Sequence, residues 1–261
     1  MRVPEPVPGT IERHRLTHLL EAGESGKPTL VAAPAGWGKT TAVVEWARSF
    51  DRPVAWVGCE RRLDEPGRLW GEIHDAIASV TPADRPVGLR AAPDVGEQRL
   101  CRGLEPLLAA RSEVVLVLDN FQVIESSDVL DGVAELVGRV PGSLRLVLVT
   151  RADPLLALYR ARLAGGITEI RAKDLAFTTY ETSRLLEEHN LSFSGRDVER
   201  LCTRVEGWAT GLRLAVSAIE PGAESSAMVD AIVDAGPAVT GYLAEQVIGQ
   251  LDADDRTLLM R

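Results

Sequence analysis

The chain has 261 residues, 45% of them hydrophobic and 26% charged, with a formal net charge of −9. That length suits one large or two modest domains, and the composition is that of a globular protein. The acidic balance argues against direct contact with DNA or RNA by this segment, residues 1–9 lack the apolar core of a secretory signal, and no apolar run approaches the ~20 residues of a membrane span.

In chain order, residues 1–28 read as a proline-rich arm and a short helix from Ile11 to Leu20, with Leu16, Leu19 and Leu20 on one face. A strand around Thr29–Ala33 enters a glycine-rich turn, and a helix runs from Lys39 to about Ser49. Val54–Val57 reads as a second strand, and Leu69, Trp70, Ile73, Ile77 and Val80 fall at helical spacing. The proline- and glycine-rich stretch 81–96 reads as a loop, and Leu100, Leu104, Leu107 and Leu108 mark a further helix. Val114–Leu118 is a continuous apolar run, as a strand buried on both faces requires, a helical stripe runs from Val129 to Val140, and Leu144–Val149 reads as the next buried strand. A helix around Leu155–Leu163 and a short strand Ile167–Ile170 follow. Such alternation predicts a parallel α/β sheet of five or so strands with helices on both faces.

The alternation stops near Lys173. Thr178 and Glu181 stand at capping-box spacing, and the text is helical from there: Tyr180–Asn190, Gly195–Arg204 and Trp208–Ile219. The organisation expected is an α/β domain over residues 1–172, a helical domain over 173–235, and the opening of a further unit over 236–261, the whole being a fragment of something longer. Cys59, Cys101 and Cys202 are odd in number, widely spaced and set among apolar residues, which reads as buried thiols in a reducing, cytoplasmic compartment.

The chemistry begins at Val31-Ala-Ala-Pro-Ala-Gly-Trp-Gly-Lys-Thr-Thr41, a strand, loop and helix in the order a phosphate-binding loop needs. Gly36 and Gly38 let backbone N–H groups turn toward phosphate oxygens, and the helix starting at Lys39 aims its positive dipole end at them. Lys39 would reach the β and γ phosphates and Thr40 would sit on Mg²⁺. The usual first glycine of the motif is Ala33, at a strand end where a methyl group fits. About 80 residues later the apolar run Val114–Leu118 ends in Asp119, suited to hold Mg²⁺ through a water. Asn120 stands where many NTPases place a second carboxylate, and an amide cannot take a proton from an attacking water, so turnover should be slow. Arg151, at the carboxyl end of the next strand, is placed to read a γ-phosphate.

Residues 33–41, Val-Leu-Asp-Asn-Phe (117–121), Leu-Val-Thr-Arg-Ala-Asp-Pro (148–154), Ile-Arg-Ala-Lys-Asp-Leu-Ala-Phe-Thr (170–178) and Glu-Gly-Trp-Ala-Thr-Gly-Leu (206–212) together resemble the large ATP-binding regulators of the LuxR type. These are the MalT-like members of the STAND class of signal-transduction P-loop NTPases. The resemblance implies a nucleotide-binding domain, a helical domain and the start of a winged-helix domain at 236–261, with strand 1 flanked by strands 4 and 5. It implies ATP or ADP with Mg²⁺ as ligands, bound by Pro34, Ala35, Gly36, Trp37, Gly38, Lys39, Thr40 and Thr41, with Thr40 and Asp119 on the metal. Lys39, Asp119, Asn120 and Arg151 carry whatever catalysis there is. Ile11 to Arg15 match the family's segment near adenine and ribose, with Ile11 and Arg13 the residues carried over. Ala209 stands where relatives have a proline against the base.

The implied role is a switch that rests with ADP, is activated by ATP and an unknown inducer, self-associates, and reaches DNA only through a C-terminal domain absent from this chain. At most it is a slow ATPase. Two other classes stay open on sequence: an ordinary P-loop ATPase or kinase, disfavoured by Asn120, and a passive ADP-locked scaffold, disfavoured by intact Lys39, Thr40 and Asp119. His14 and His18 lack the further ligands of a zinc site, and Trp46, Trp56 and Trp70 read as core residues.

Overall fold

In a computed structural model, residues 3–23, 26–81, 104, 113–156, 158–163 and 165–217 are described. The stretch 81–96 beyond Thr81, the helix around Leu100–Leu108 apart from the buried Leu104, Cys101, and the segment 236–261 lie outside them. The described residues divide into two compact units: those within 1–6, 14–34 and 39–171 form a sheet unit, and those within 7–13, 35–38 and 172–217 form a helical unit.

The sheet unit follows from its apolar runs. β1 (Pro28–Ala32), β2 (Val54–Gly58), β3 (Val114–Asp119), β4 (Leu144–Thr150) and β5 (Thr168–Arg171) form one sheet of order β2-β3-β4-β1-β5, parallel throughout. β1 thus lies between β4 and β5, as the resemblance implied. Every residue of β4 is buried, as are all but the last of β2 and of β3, so these strands are covered on both sides. Alternation sorts the side chains. Leu30, Ala55, Val57, Leu116, Leu118, Leu146 and Leu148 share one core with Leu69, Ile73 and Ile77 of α3 (Pro66–Val80) and Val129, Val133 and Leu136 of α4 (Ser127–Gly138). On the opposite face Arg145 of β4 reaches the end of α1 (His14–Glu21), donating to the carbonyls of Leu20 at 3.0 Å, Glu21 at 2.7 Å and Gly23. Its guanidinium also lies 5.2 Å from the ring of Trp46 in α2 (Lys39–Arg48). A buried arginine is tolerated there because the carbonyls that end a helix need donors. Trp46, Trp56 and Trp70 are buried in the sheet unit.

Three sequence expectations shift. The first helix begins at His14, because Ile11 and Arg13 belong to an extended segment of the helical unit, and Leu19 faces solvent while Leu16 and Leu20 are buried. The helix expected over Leu155–Leu163 is only α5 (Tyr159–Leu163), with Leu155 exposed and Leu156 and Leu158 in the core, a pairing that no continuous helix face would make. A one-turn helix, α6 (Ala172–Leu175), follows β5 directly.

The helical unit continues with α7 (Thr179–Glu188), α8 (Gly195–Arg204) and α9 (Ala209–Ser217). The capping box forms in full: Glu181 N–H donates to Thr178 Oγ1 at 3.1 Å, and Thr178 N–H donates to Glu181 Oε2 at 2.9 Å. Ile11 packs with Leu185, Leu186, Val198, Leu201, Leu212, Ala215 and Val216 in this unit's own core. Between α8 and α9 the chain turns at Gly207 (φ 65°), where a Cβ would stand 2.6 Å from the Phe177 carbonyl oxygen; glycine is required there by both conformation and space.

Candidate functional site

The chemistry-bearing residues of the sheet unit gather at the carboxyl ends of its strands, the edge where open α/β sheets hold ligands. β1 delivers Pro34, whose carbonyl accepts from Lys39 Nζ at 2.9 Å. β3 delivers Asp119, and the Thr40 hydroxyl donates to its carboxylate at 3.0 and 3.2 Å. β4 delivers Arg151 next to Lys39. The two cations repel, and among the described residues the Arg151 guanidinium takes no carboxylate partner. Thr41, the third residue of α2, is half-buried.

The electrostatics of this edge are unbalanced in both directions. Burial, with Arg151 second and Asp119 opposing, lowers Lys39 to about 8. Burial also raises Asp119 above its ordinary value, against hydrogen bonds from Thr40 and the Asn120 N–H and the charge of Lys39. Two crowded cations ask for an anion, and a half-buried carboxylate beside a hydroxyl asks for a hard cation. Thr40 Oγ1 and the Asp119 oxygens are the oxygen donors Mg²⁺ takes, since it uses one or two protein ligands and keeps waters and phosphate oxygens for the rest. The donor set therefore fits a magnesium–phosphate ligand.

A pH dependence follows from Lys39. Only its charged form attracts phosphate, and in the free protein that form is full below about 8 and is lost as pH rises through that value. Nucleotide affinity should be flat below pH 8 and fall above it. Since a bound phosphate raises the lysine again, binding near pH 8 should take up a proton. Calorimetry in two buffers of different ionisation enthalpy checks this; equal enthalpies in both would contradict it.

Asn120 adopts a left-handed conformation (φ 61°), which turns its side chain back across the strand ends. Its Nδ2 donates to the Cys59 carbonyl at 3.1 Å, and its Oδ1 accepts from Gln122 Nε2. Both ends of the amide are therefore occupied. Burial, with Asp119 adding to it, pushes the Cys59 thiol up to about 12, so this cysteine is not a nucleophile.

The remaining expected ligand residues belong to the helical unit. Gly36 and Gly38 have φ of 77° and 75°, the left-handed region that glycine adopts without cost. The Gly36 carbonyl accepts from both the N–H and the hydroxyl of Thr210, each at 3.0 Å, and the Ala35 carbonyl accepts from Trp208 Nε1 at 3.2 Å. Ala209 Cβ lies 3.6 Å from where a Cβ on Gly38 would stand, and Trp37 is half-buried. The Arg13 guanidinium is engaged by the carbonyls of Leu175 and Ala176 and by Glu181, and Ile11 lies in the core, so neither side chain is offered outward. Sequence reasoning missed Gln122 and Thr210. Thr210 lies inside a motif already singled out, whereas nothing near Gln122 in the chain signals its partner 29 residues away.

Comparison with known proteins agrees with this geometry. A family model described as an AAA ATPase domain matches residues 10–149, just over half of the chain. The chain is 26% identical over 99% of its length to the HTH-type transcriptional regulator MalT of Yersinia enterocolitica, covering 29% of that protein. It is 25% identical over 98% of its length to the serine/threonine-protein kinase PknK of Mycobacterium tuberculosis, covering 24% of it. It thus spans less than a third of these curated relatives. Among solved structures, the STAND protein with a tetratricopeptide repeat sensor from Pyrococcus horikoshii superposes with a TM-score of 0.63 at 16% identity, over 98% of this chain and 35% of that one, a likeness of fold. With a five-stranded parallel sheet and a family model spanning more than half of its residues, this chain belongs to the AAA ATPase domain family.

Proposed function

We propose that this chain is the ATP-dependent switch module of a signal-responsive transcription regulator, resting with ADP, active with ATP, and hydrolysing slowly. Family membership supports a nucleotide-binding module, and likeness to MalT regulators supports a regulatory role for it. The observation that carries the finer reading is the strand-end edge of the sheet unit. There the Thr40–Asp119 contact, Lys39 and an Arg151 without a carboxylate partner among the described residues stand on strands β1, β3 and β4 and the start of α2.

In this reading the backbone of residues 34–39 and the first turn of α2 cradle the phosphates, and Lys39 contacts the β and γ groups. Thr40 and Asp119 would hold Mg²⁺, which would supply charge neutralisation for the phosphates. Arg151 contacts only the γ-phosphate, the state-specific interaction that a switch between ATP and ADP needs. Ile11, Arg13 and Ala209 are proposed for the base end, through backbone and apolar surface, since the Arg13 guanidinium is engaged elsewhere. Asn120 accepts no proton and both ends of its amide are hydrogen-bonded, which supports slow turnover. Trp208 and Thr210 donate to the Ala35 and Gly36 carbonyls, so these loop residues are held within the helical unit. An inducer, self-association with ATP, contact with DNA through a part outside this chain, and a cytoplasmic setting complete the proposal.

The test is to denature the purified protein, identify the released nucleotide by chromatography, and then measure turnover with ATP and Mg²⁺. Stoichiometric ADP and turnover below about 0.01 per second are expected, against the ~1–100 per second typical of kinases. Turnover in that faster range would instead make it an ordinary ATPase or kinase. No nucleotide, and no uptake of ATP with Mg²⁺, would leave a passive scaffold.

A further inference from the structure

A chain of hydrogen bonds crosses the carboxyl ends of β2, β3 and β4. The Arg151 backbone N–H donates to Gln122 Oε1 at 3.1 Å, Gln122 Nε2 donates to Asn120 Oδ1, and Asn120 Nδ2 donates to the Cys59 carbonyl at 3.1 Å. Both ends are main-chain groups of fixed sense: an N–H only donates and a carbonyl only accepts. Two amides placed between them satisfy every contact in one order only. Flipping either sets oxygen against oxygen or N–H against N–H. The backbone therefore dictates the orientation of both side chains, and the sense of the relay needs no further assignment.

The relay does what the sheet cannot do at that point. The ladder between β3 and β4 ends at the pair Leu118–Leu148, and that between β1 and β4 at Ala32–Thr150. Arg151 is the first residue past both ladders, so no neighbouring strand accepts from its N–H. The acceptor is a side chain from the turn Phe121–Val123, which follows directly on Asp119 and Asn120. Gln122 thereby ties the residue after β4 to the turn that holds the Asp119 carboxylate, whose Oδ1 also accepts from the Asn120 N–H at 2.9 Å.

We infer that Gln122 is a positioning residue: by holding the Arg151 backbone against the β3 turn it directs the guanidinium toward the phosphates and sets the preference for nucleoside triphosphate over diphosphate. The inference rests on the reading of Arg151 as the γ-phosphate contact. Arg151 carries no carboxylate partner that would orient it from the side-chain end among the described residues, so the backbone tie decides where its charge points. Asn120 is the middle link of the same relay. That explains how an amide can occupy this position: an aspartate there would set a carboxylate oxygen against the Cys59 carbonyl.

The test measures dissociation constants for ADP and for a non-hydrolysable ATP analogue, with Mg²⁺, on the whole chain. It compares the parent with Gln122→Met, Gln122→Ala and Arg151→Ala, each checked for its far-ultraviolet spectrum and thermal midpoint. Methionine keeps the shape and removes the hydrogen bonds, and alanine is the second variant should methionine not fold. Loss of the tie should lower the ratio of triphosphate to diphosphate affinity about tenfold, in the direction of Arg151→Ala, and should expose the Arg151 amide to hydrogen exchange. A folded Gln122 variant with the parental ratio, beside an Arg151→Ala that loses it, would overturn the relay and leave the site reading standing. If Arg151→Ala keeps the parental ratio, or the parent binds neither nucleotide, the reading of Arg151 falls and the relay falls with it.

Discussion

Lys39→Met should cost about a hundredfold in affinity for both ATP and ADP, roughly 2.7 kcal/mol, while the fold stays intact. The size follows from removing a charge-assisted hydrogen bond and a full charge from a half-buried position facing phosphate. The fold is spared because, among the described residues, the Lys39 side chain makes one hydrogen bond, to the Pro34 carbonyl, and α2 is anchored instead by Ala42, Val43, Val44, Trp46 and Ala47. Burial and Arg151 already disfavour the Lys39 charge, lowering it to about 8, so the free protein should if anything gain stability from the substitution below that pH. Calorimetric titration with each nucleotide, beside a thermal unfolding curve, reads both quantities. Tight binding by a folded Lys39→Met would remove the phosphate loop from the account.

Arg13→Leu should destabilise the helical unit by about 3 kcal/mol. The guanidinium is 6% exposed, donates to the carbonyls of Leu175 at 2.7 Å and Ala176 at 3.0 Å, pairs with Glu181 at 3.2 Å, and lies 4.1 Å from the centroid of the Phe177 ring. Taking it away leaves the Glu181 carboxylate buried without that cation and removes a donor from two carbonyls at the end of α6, which is the costly way to break a buried pair. Because Glu181 is also the second half of the capping box on α7, the loss should show first in the amides of that helix. Native-state hydrogen exchange over Thr179–Glu188 is the measurement, with faster exchange expected throughout the helix. Unchanged exchange together with a large fall in nucleotide affinity would return the guanidinium to the ligand, where the family resemblance first put it.

These two substitutions fall on opposite sides of what could be read without a structure. The role expected of Lys39 needs only its neighbours in the chain: a strand, two glycines and a helix start set a lysine at a phosphate loop. The same holds for the sheet. Val114–Leu118 carries no polar residue and Leu144–Val149 only Arg145, and strands so apolar have to be covered on both sides, as β3 and β4 are. The capping box of Thr178 and Glu181 was legible for the same reason, because its partners are three residues apart. The pairing of Thr40 with Asp119 spans 79 residues, and it could be anticipated only because the two motifs occur together in a known family.

What the tertiary structure alone decided are the partners that no local pattern encodes. Arg13 looked like a ligand residue from its position in a motif, but its acceptors lie more than 160 residues away, so only folding reveals that its charge is already engaged. Gln122 carried no signal, since one of its two contacts is a backbone N–H, and any residue type at position 151 other than proline would supply that group. Helix ends shifted for a similar reason: periodicity marks which face is apolar, but whether Ile11 or Leu155 continues a helix depends on which core it meets. The amino-acid sequence by itself determined the class of fold and the residue types proposed to meet phosphate, because these rest on backbone conformation and hydrophobic burial within short windows. Tertiary structure determined which charges are engaged and which amides are held, because hydrogen bonds between distant segments form only once the sheet has brought the ends of its strands together.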